Sequence, residues 1–310
     1  MKRNKILLST LLACGVMTQT VPVQAATISA LSKESKPSVS CIKPVYNYER
    51  KYEKVQGEYL SYIQLGEKHF SKSIVIIHGS AFNADAMIPY GELYAKKGYN
   101  VILVDLPGHF GNKSVAKDEF NKLGDSIASL MTKLVAQGKL SNKSEVQGWS
   151  LGGSVALDLG MRYEKLVKSV GMIDAASNYY GVELPAVTGE TRVPTLSYIV
   201  GALKSPIVDQ ASNDALVGKL AGLLAPTGAI NNDFAIDKVL NIDSGLKKVK
   251  VPVNIFYGAE DTLTTLDKQK DMISQLKKGK LHVEKGYGHL AILENPQIVF
   301  NAFEKMNKDK

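Results

Sequence analysis

The sequence predicts an α/β fold: a mainly parallel sheet with helices on both faces and a helical segment inserted before the last strands. Three observations carry this. Short continuous runs of β-branched and other apolar residues recur, as strands buried on both faces require. Stretches with apolar residues three and four apart alternate with them, the order that builds a parallel sheet. A block over 176–246, rich in Leu, Ala, Val and Gly, contains no such run and interrupts the alternation.

Residues 26–57 are polar, with Ser, Lys and Tyr, and read as a tail or linker. The core is expected over 58–175 and 247–310. EYLSYIQLG alternates like a half-exposed strand, and SIVIIHG is a β-branched run ending in glycine, as a buried parallel strand does. ADAMIPYGELYAKKG reads as a helix with glycine at its end, and YNVILVDLPG as another buried strand. The spacing in DEFNKLGDSIASLMTKLVAQG predicts a helix. SEVQGWS is a strand, LGGSVALDLGMRYE the helix after it, and VKSVGMIDA the next strand. The inserted block reads as helical through PTLSYIVGALKSPIVDQ, DALVGKLAGLLAPTG and FAIDKVLNI. VPVNIFYG and KLHVEKG are the last strands, with the helix LDKQKDMISQLKKG between them, and AILENPQIVFNAFEKM is the final helix.

The chain of 310 residues opens with a basic segment, MKRNK, then the apolar ILLSTLLACGVM, then the small residues of VPVQAA. This order is that of a secretory signal peptide over 1–25, cleaved after Ala25, and implies a secreted protein. Leu11-Leu12-Ala13-Cys14 offers a second reading, a membrane-anchored lipoprotein through Cys14. Cleavage after Ala25 leaves Cys41 alone, so the mature chain forms no internal disulfide. The formal charge falls from +8 to +5 when Lys2, Arg3 and Lys5 are removed. The excess is scattered lysine without interleaved aromatics, which argues against nucleic acid and allows at most weak attraction to an anionic cell surface. No HExxH, paired CxxC or Walker loop occurs, so no metal or cofactor is expected.

Gly148-Trp149-Ser150-Leu151-Gly152 fits the pattern G-x-S-x-G between a predicted strand and a predicted helix. Composition alone produces that pattern in roughly one of six or seven chains this long, so the context carries the weight. A serine on a sharp strand-to-helix turn is lifted out of the sheet, and side chains at Gly148 or Gly152 would collide with neighbouring elements. The helix N-terminus also favours negative charge beside the serine.

A serine hydroxyl is a weak nucleophile until a base takes its proton. His69 sits in a polar connection, His282 inside a predicted strand, His78 at the end of the first buried strand, and His109 in DLPGHFGNKS. His289, in KGYGHLAILENP, lies in a loop at the carboxyl edge of the sheet, where open α/β folds place their ligands. The base needs a carboxylate to orient it. Asp261 in IFYGAEDTLT and Asp174 after SVGMI both end strands, and Asp261 is favoured because Ser, Asp and His then follow the chain order of elbow-type hydrolases. Glu260 is expected to face away.

At this point the chain resembles the α/β-hydrolase family from about Glu58 to its end. IIHGSAFN is similar to the family's HG loop, and DLPGHFGNKS to its D-x-P-G-x-G-x-S loop with Phe110 as an extra residue. GWSLGG resembles the elbow, especially that of small carboxylesterases, including those acting on methyl esters of acyl-carrier substrates. YGAEDTLT resembles the acid loop and GYGHLAILENP the histidine loop. The resemblance implies that Ser150 attacks a carbonyl carbon, His289 shuttles the proton and Asp261 orients His289. It implies an oxyanion hole from the backbone N–H groups of Ser80 and Leu151, with Ala81 a weaker candidate. His78 is then structural, Trp149 packs beneath the site, and the inserted block is the family's helical cap.

The expected activity is cleavage of a small-molecule carboxylic ester with an apolar portion, through an acyl-enzyme. Amide or peptide cleavage would need a cap carboxylate for a free amine, with Glu183 and Glu190 as candidates. A binding protein that kept the fold and lost turnover is the remaining alternative.

Overall fold

A computed structural model of the chain describes residues 46–66, 71–182, 187–188, 197, 199–201 and 203–308. The expected signal peptide, Cys14, Cys41, His69, Glu183 and Glu190 lie outside the described residues. Eight strands form one sheet: β1 (Arg50–Val55), β2 (Glu58–Leu65), β3 (Ser73–Ile77), β4 (Asn100–Val104), β5 (Ser144–Trp149), β6 (Val167–Ile173), β7 (Val253–Gly258) and β8 (Gly279–Glu284). Their order is β1-β2-β4-β3-β5-β6-β7-β8. The β1–β2 and β2–β4 pairs are antiparallel and all others are parallel.

The helices are α1 (Ile88–Lys96), α2 (Asn121–Ala136), α3 (Leu151–Arg162), α4 (Gln210–Ala221), α5 (Thr227–Val239), α6 (Leu266–Gln275), α7 (Ala291–Glu294) and α8 (Pro296–Lys308). They divide between the two faces of the sheet. Leu123, Leu130, Val155, Leu159 and Met272 of α2, α3 and α6 pack on one face. Tyr90, Tyr94, Phe300 and Phe303 of α1 and α8 pack on the other. Strands β3, β4, β5 and β7 are buried along their whole length; β3, β4 and β7 accordingly read as largely apolar runs, whereas β5 buries Gln147 and Glu145 with hydrogen bonds from the Tyr90 and Tyr99 hydroxyls.

Three elements depart from the sequence reading. The polar segment assigned to the linker contains β1, where Arg50 is drawn inward by Asp85 and Asp105, each at 2.8 Å. Charged edge strands carry a weak hydrophobic signal, so the strand was invisible in the pattern. Strand β2 is not half-exposed: Leu60 to Ile63 are all buried, because β2 is flanked by β1 and β4. The expected final helix is two helices, broken at Asn295, because a residue before proline is pushed out of the helical region.

Between β6 and β7 the described residues contain α4, α5, a 3-10 turn at Asp243–Lys248 and an isolated bridge from Asn178 to Asn241, with no strand of the sheet. The chain winds from β3 out to β4, then returns to β5 on the other side of β3. The crevice at such a reversal, above the carboxyl ends of β3 and β5, is where open α/β sheets hold ligands.

Candidate active site

Ser150 joins β5 to α3 with φ 53° and ψ −125°, a backbone conformation that persists only when its surroundings enforce it. Those surroundings are identifiable. The Ser150 N–H donates to the Ile173 carbonyl at 3.0 Å, and the Ser150 carbonyl accepts the Gly153 N–H at 2.8 Å. A Cβ on Gly148 would lie 2.0 Å from the Gly152 carbonyl oxygen. One on Gly152 would lie 2.4 Å from the His78 carbonyl and 2.5 Å from that of Ile77, at the end of β3. These obstacles are backbone and cannot rotate aside. The turn therefore exists only with glycine on both sides, and it aims the N-terminus of α3 at the serine.

His289 lies in the connection from β8 to α7, with Nε2 3.0 Å from Ser150 Oγ and Nδ1 2.9 Å from Asp261 Oδ2. Asp261 follows β7, and its Oδ1 accepts the N–H groups of Leu263 (2.8 Å) and Thr264 (3.1 Å) while Oδ2 accepts the Thr264 hydroxyl. Burial alone would raise this carboxyl, but the His289 imidazole and the Thr264 donors outweigh it and hold it below the usual carboxylate range. An ionised carboxylate only accepts, so Nδ1 carries a proton, and in the neutral imidazole Nε2 then presents a lone pair to the serine hydroxyl. The histidine is held from behind: the Trp149 indole N–H donates to the His289 carbonyl at 2.8 Å. The neighbouring Gly288 N–H donates to Ser205 Oγ of the inserted segment at 2.9 Å.

Asp174, the other strand-end acid, accepts the Gly258 N–H at 2.7 Å and so ties β6 to β7. Burial, together with the Asp261 charge, drives its carboxyl well above the usual range. Glu260 is exposed. His78 accepts the Leu106 N–H at 3.0 Å through Nε2 and donates to the Gly79 carbonyl at 2.8 Å through Nδ1. Burial, aided by neighbouring His109, lowers it to about 4, so it is neutral and supports the HG loop. His282 pairs with Glu284 at 2.7 Å and stacks on Phe256.

The HG loop follows β3, next to β5 in the sheet. Gly79 is pressed on the Trp149 ring, where a Cβ would lie 2.7 Å from the indole. The Ser80 hydroxyl donates to Asp237 Oδ2 at 2.6 Å. The Ala81 N–H donates to Asp233 Oδ2 at 2.9 Å, so this amide is committed to a carboxylate and Ala81 drops out as an oxyanion donor. The sequence does not show this, because the partner lies 152 positions away on α5. The amides of Ser80 and Leu151 follow the adjacent strands β3 and β5.

Ser150 and His289 face a pocket with about 710 Å³ of empty space, open solvent at its mouth included. Its walls are chiefly apolar, with Val187, Ile199, Leu203, Ile230 and Phe234 contributed by the inserted segment. Asp237 interrupts this lining. Burial pushes its carboxyl up to about 7, against the lowering effect of the Ser80 hydroxyl. Sequence reasoning missed Asp233 and Asp237. The signal was two acids four apart in the otherwise apolar NNDFAIDKV, one helical turn from each other.

Residues 68–296 match the family described as Serine aminopeptidase, S33. The chain is 26% identical over 254 residues to a pimeloyl-acyl-carrier-protein methyl ester esterase of Neisseria meningitidis, covering 77% of this chain and 93% of that protein. It is 21% identical over 255 residues to the monoacylglycerol lipase ABHD6 of Mus musculus, covering 75% and 74%. The enol-lactonase from Burkholderia xenovorans LB400 superposes with a TM-score of 0.70 at 17% identity, over 82% of this chain and all of that one. With its sheet order, elbow and matched span, the chain belongs to the serine aminopeptidase S33 family of α/β-hydrolases.

Proposed function

We propose that the protein is a serine hydrolase that cleaves a carboxylic ester through an acyl-enzyme on Ser150. One observation carries the reading: an unbroken hydrogen-bond chain from Ser150 Oγ through both nitrogens of His289 to Asp261, opening on an apolar cavity. In the first step Ser150 Oγ attacks the ester carbonyl carbon while His289 Nε2 takes the hydroxyl proton. Asp261 stabilises the imidazolium that forms. The oxyanion is met by the Ser80 and Leu151 amides, whose worth is in being aimed before the charge develops; losing one such donor costs roughly 10²–10³ in turnover. His289 returns its proton to the leaving alcohol. Water then repeats the sequence on the acyl group and frees Ser150.

The apolar walls suit an aliphatic acyl or alcohol portion, and the ester hydrolases among the relatives support the same bond. Amide cleavage has one observation in its favour, the Asp237 carboxyl in the cavity wall, where a free amine would seek an acid. A fluorophosphonate probe, p-nitrophenyl esters of graded chain length and amino-acyl anilides decide among the readings. The ester reading expects Ser150 to label and an ester of intermediate or long chain to turn over best. Faster turnover of the anilides would make it an exopeptidase. Folded protein that neither labels nor hydrolyses esters would be a binding protein.

The proposal includes export, on the basic, apolar and small order of residues 1–25. Mass spectrometry of the mature N-terminus checks it: Ala26 as first residue means secretion, and a lipid-modified Cys14 means anchoring.

A further inference from the structure

We propose that Asp233 and Asp237 of the inserted helix α5 are positioning residues: they set the backbone of the HG loop and so aim the Ser80 amide at the substrate oxygen. This rests on the oxyanion role proposed above.

The two carboxylates stand one helical turn apart and reach the loop at consecutive residues. Asp237 takes the Ser80 hydroxyl at 2.6 Å and Asp233 takes the Ala81 N–H at 2.9 Å. The inserted segment grips the same loop twice more, through the Ala225 N–H to the Ala81 carbonyl at 2.9 Å and the Asn83 side-chain amide to the Leu223 carbonyl at 2.7 Å. Against these, the core holds the loop by the Trp149 face beneath Gly79 and by His78. Ala81 has φ 69°, a left-handed conformation that costs a residue with a Cβ on the order of 1 kcal/mol and needs an external hold. The Asp233 hydrogen bond supplies it at that residue.

The cost of these carboxylates points the same way. Asp233 is 2% exposed and Asp237 6%, and aspartate is a poor helix former. Burying such groups is unfavourable unless each is paired. His109 Nε2 lies 3.1 Å from the same Asp233 Oδ2 that receives the Ala81 amide and 3.3 Å from Oδ1, which fixes the carboxylate in place. Asp237 keeps one oxygen buried without a partner among the described residues. Helix packing alone would favour apolar side chains at both positions. What the acids supply instead is a fixed acceptor for each end of the Ser80–Ala81 unit.

A positioning role and a simple cap-to-core tie predict different kinetics. The full chain is assayed with p-nitrophenyl esters, with a trifluoromethyl ketone that forms a tetrahedral adduct on Ser150, and with the matching alcohol as a ground-state ligand. Asp233→Ala is expected to lower kcat about 10- to 100-fold with KM within about threefold, part of the effect of losing an oxyanion donor outright. Ketone affinity falls with kcat, and alcohol affinity does not. Asp237→Ala and Ser80→Ala are expected to lose about 3- to 10-fold each, and their double variant no more than either, because they remove the same contact. Asp237→Asn, which still accepts the Ser80 hydroxyl proton, recovers most of the loss. Should Asp233→Ala fail to fold, the Ser80 and Asp237 cycle carries the test alone. A rise in KM with kcat unchanged, equal weakening of ketone and alcohol, or additive losses in the cycle would overturn the proposal. A wild type that takes no fluorophosphonate overturns the hydrolase reading instead, and that outcome is visible before any variant is made.

Discussion

The nucleophile elbow and the HG loop stand side by side at the ends of β5 and β3, yet they are held by opposite means. The elbow is fixed by what is missing. Its glycines let α3 approach β3 until backbone meets backbone, and no distant side chain is needed to hold the turn. The HG loop is fixed by what reaches it: carboxylates, a carbonyl and an amide arriving from α5 and the residues before it. One half of the proposed oxyanion site is thus built into the core, and the other half is completed by the inserted segment. The elbow should fail all at once when disturbed, and the loop by degrees.

The largest effect expected is one that silences both. His289→Ala removes the proposed base and should slow fluorophosphonate labelling of Ser150 by roughly 10⁴-fold. His282→Ala, on β8 and paired with Glu284, should stay within about threefold, as surface changes do. Comparable losses in the two variants would move the base. Next comes Gly148→Ala. Its methyl has no room beside Gly152, and urea unfolding should show a loss of about 3 kcal/mol or more, with labelling lost in parallel. A change below about 1 kcal/mol would mean that the elbow adapts, and the contrast with the loop would disappear.

Acid should reach the HG loop through His78. His78 is neutral in the fold at about 4, below the ordinary value of 6.5 that it regains on unfolding. The unfolded chain therefore binds this proton first. The stability due to neutral His78 is whole above pH 6.5 and drains away as pH falls towards 4, a loss of up to about 3 kcal/mol. His78→Gln, which offers an acceptor to the Leu106 N–H without titrating, should flatten the dependence of unfolding free energy over that window. An unchanged slope would assign it to other groups. The smallest effect belongs to Ala81→Gly. Relief of the positive φ should stabilise the fold by about 0.5–1 kcal/mol, read as a small rise in Tm. A fall in Tm would show that the loop owes more to the alanine methyl than to its backbone angle.

The core was legible because each of its signals is local. Buried parallel strands announce themselves as apolar runs, and the elbow by glycines two positions either side of Ser150. Asp261 and His289, which the structure brings together with Ser150, could be singled out because strand ends converge on one edge of a parallel sheet, which makes their order along the chain informative. Strand β1 was lost because an edge strand carrying Arg50, Lys51, Glu53 and Lys54 looks like a solvated tail. Asp233 and Asp237 were lost for a different reason. Their meaning depends on a loop more than 150 residues upstream, and no pattern within α5 specifies which part of the core the helix will touch. Thr264, which donates to Asp261, is likewise an ordinary loop residue until the turn after β7 closes.

Trp149 has a consequence of another kind. It is the single tryptophan of the chain. Its ring centre lies 5.4 Å from that of Phe82 in the cavity wall and 5.8 Å from that of His289, and its N–H is bonded to the histidine's own backbone. All indole emission from this protein therefore originates beside Ser150. A stopped-flow trace excited in the tryptophan band would follow filling of the cavity in real time, with no dye attached. The protein carries its own optical gauge of occupancy, installed in the wall of the candidate site.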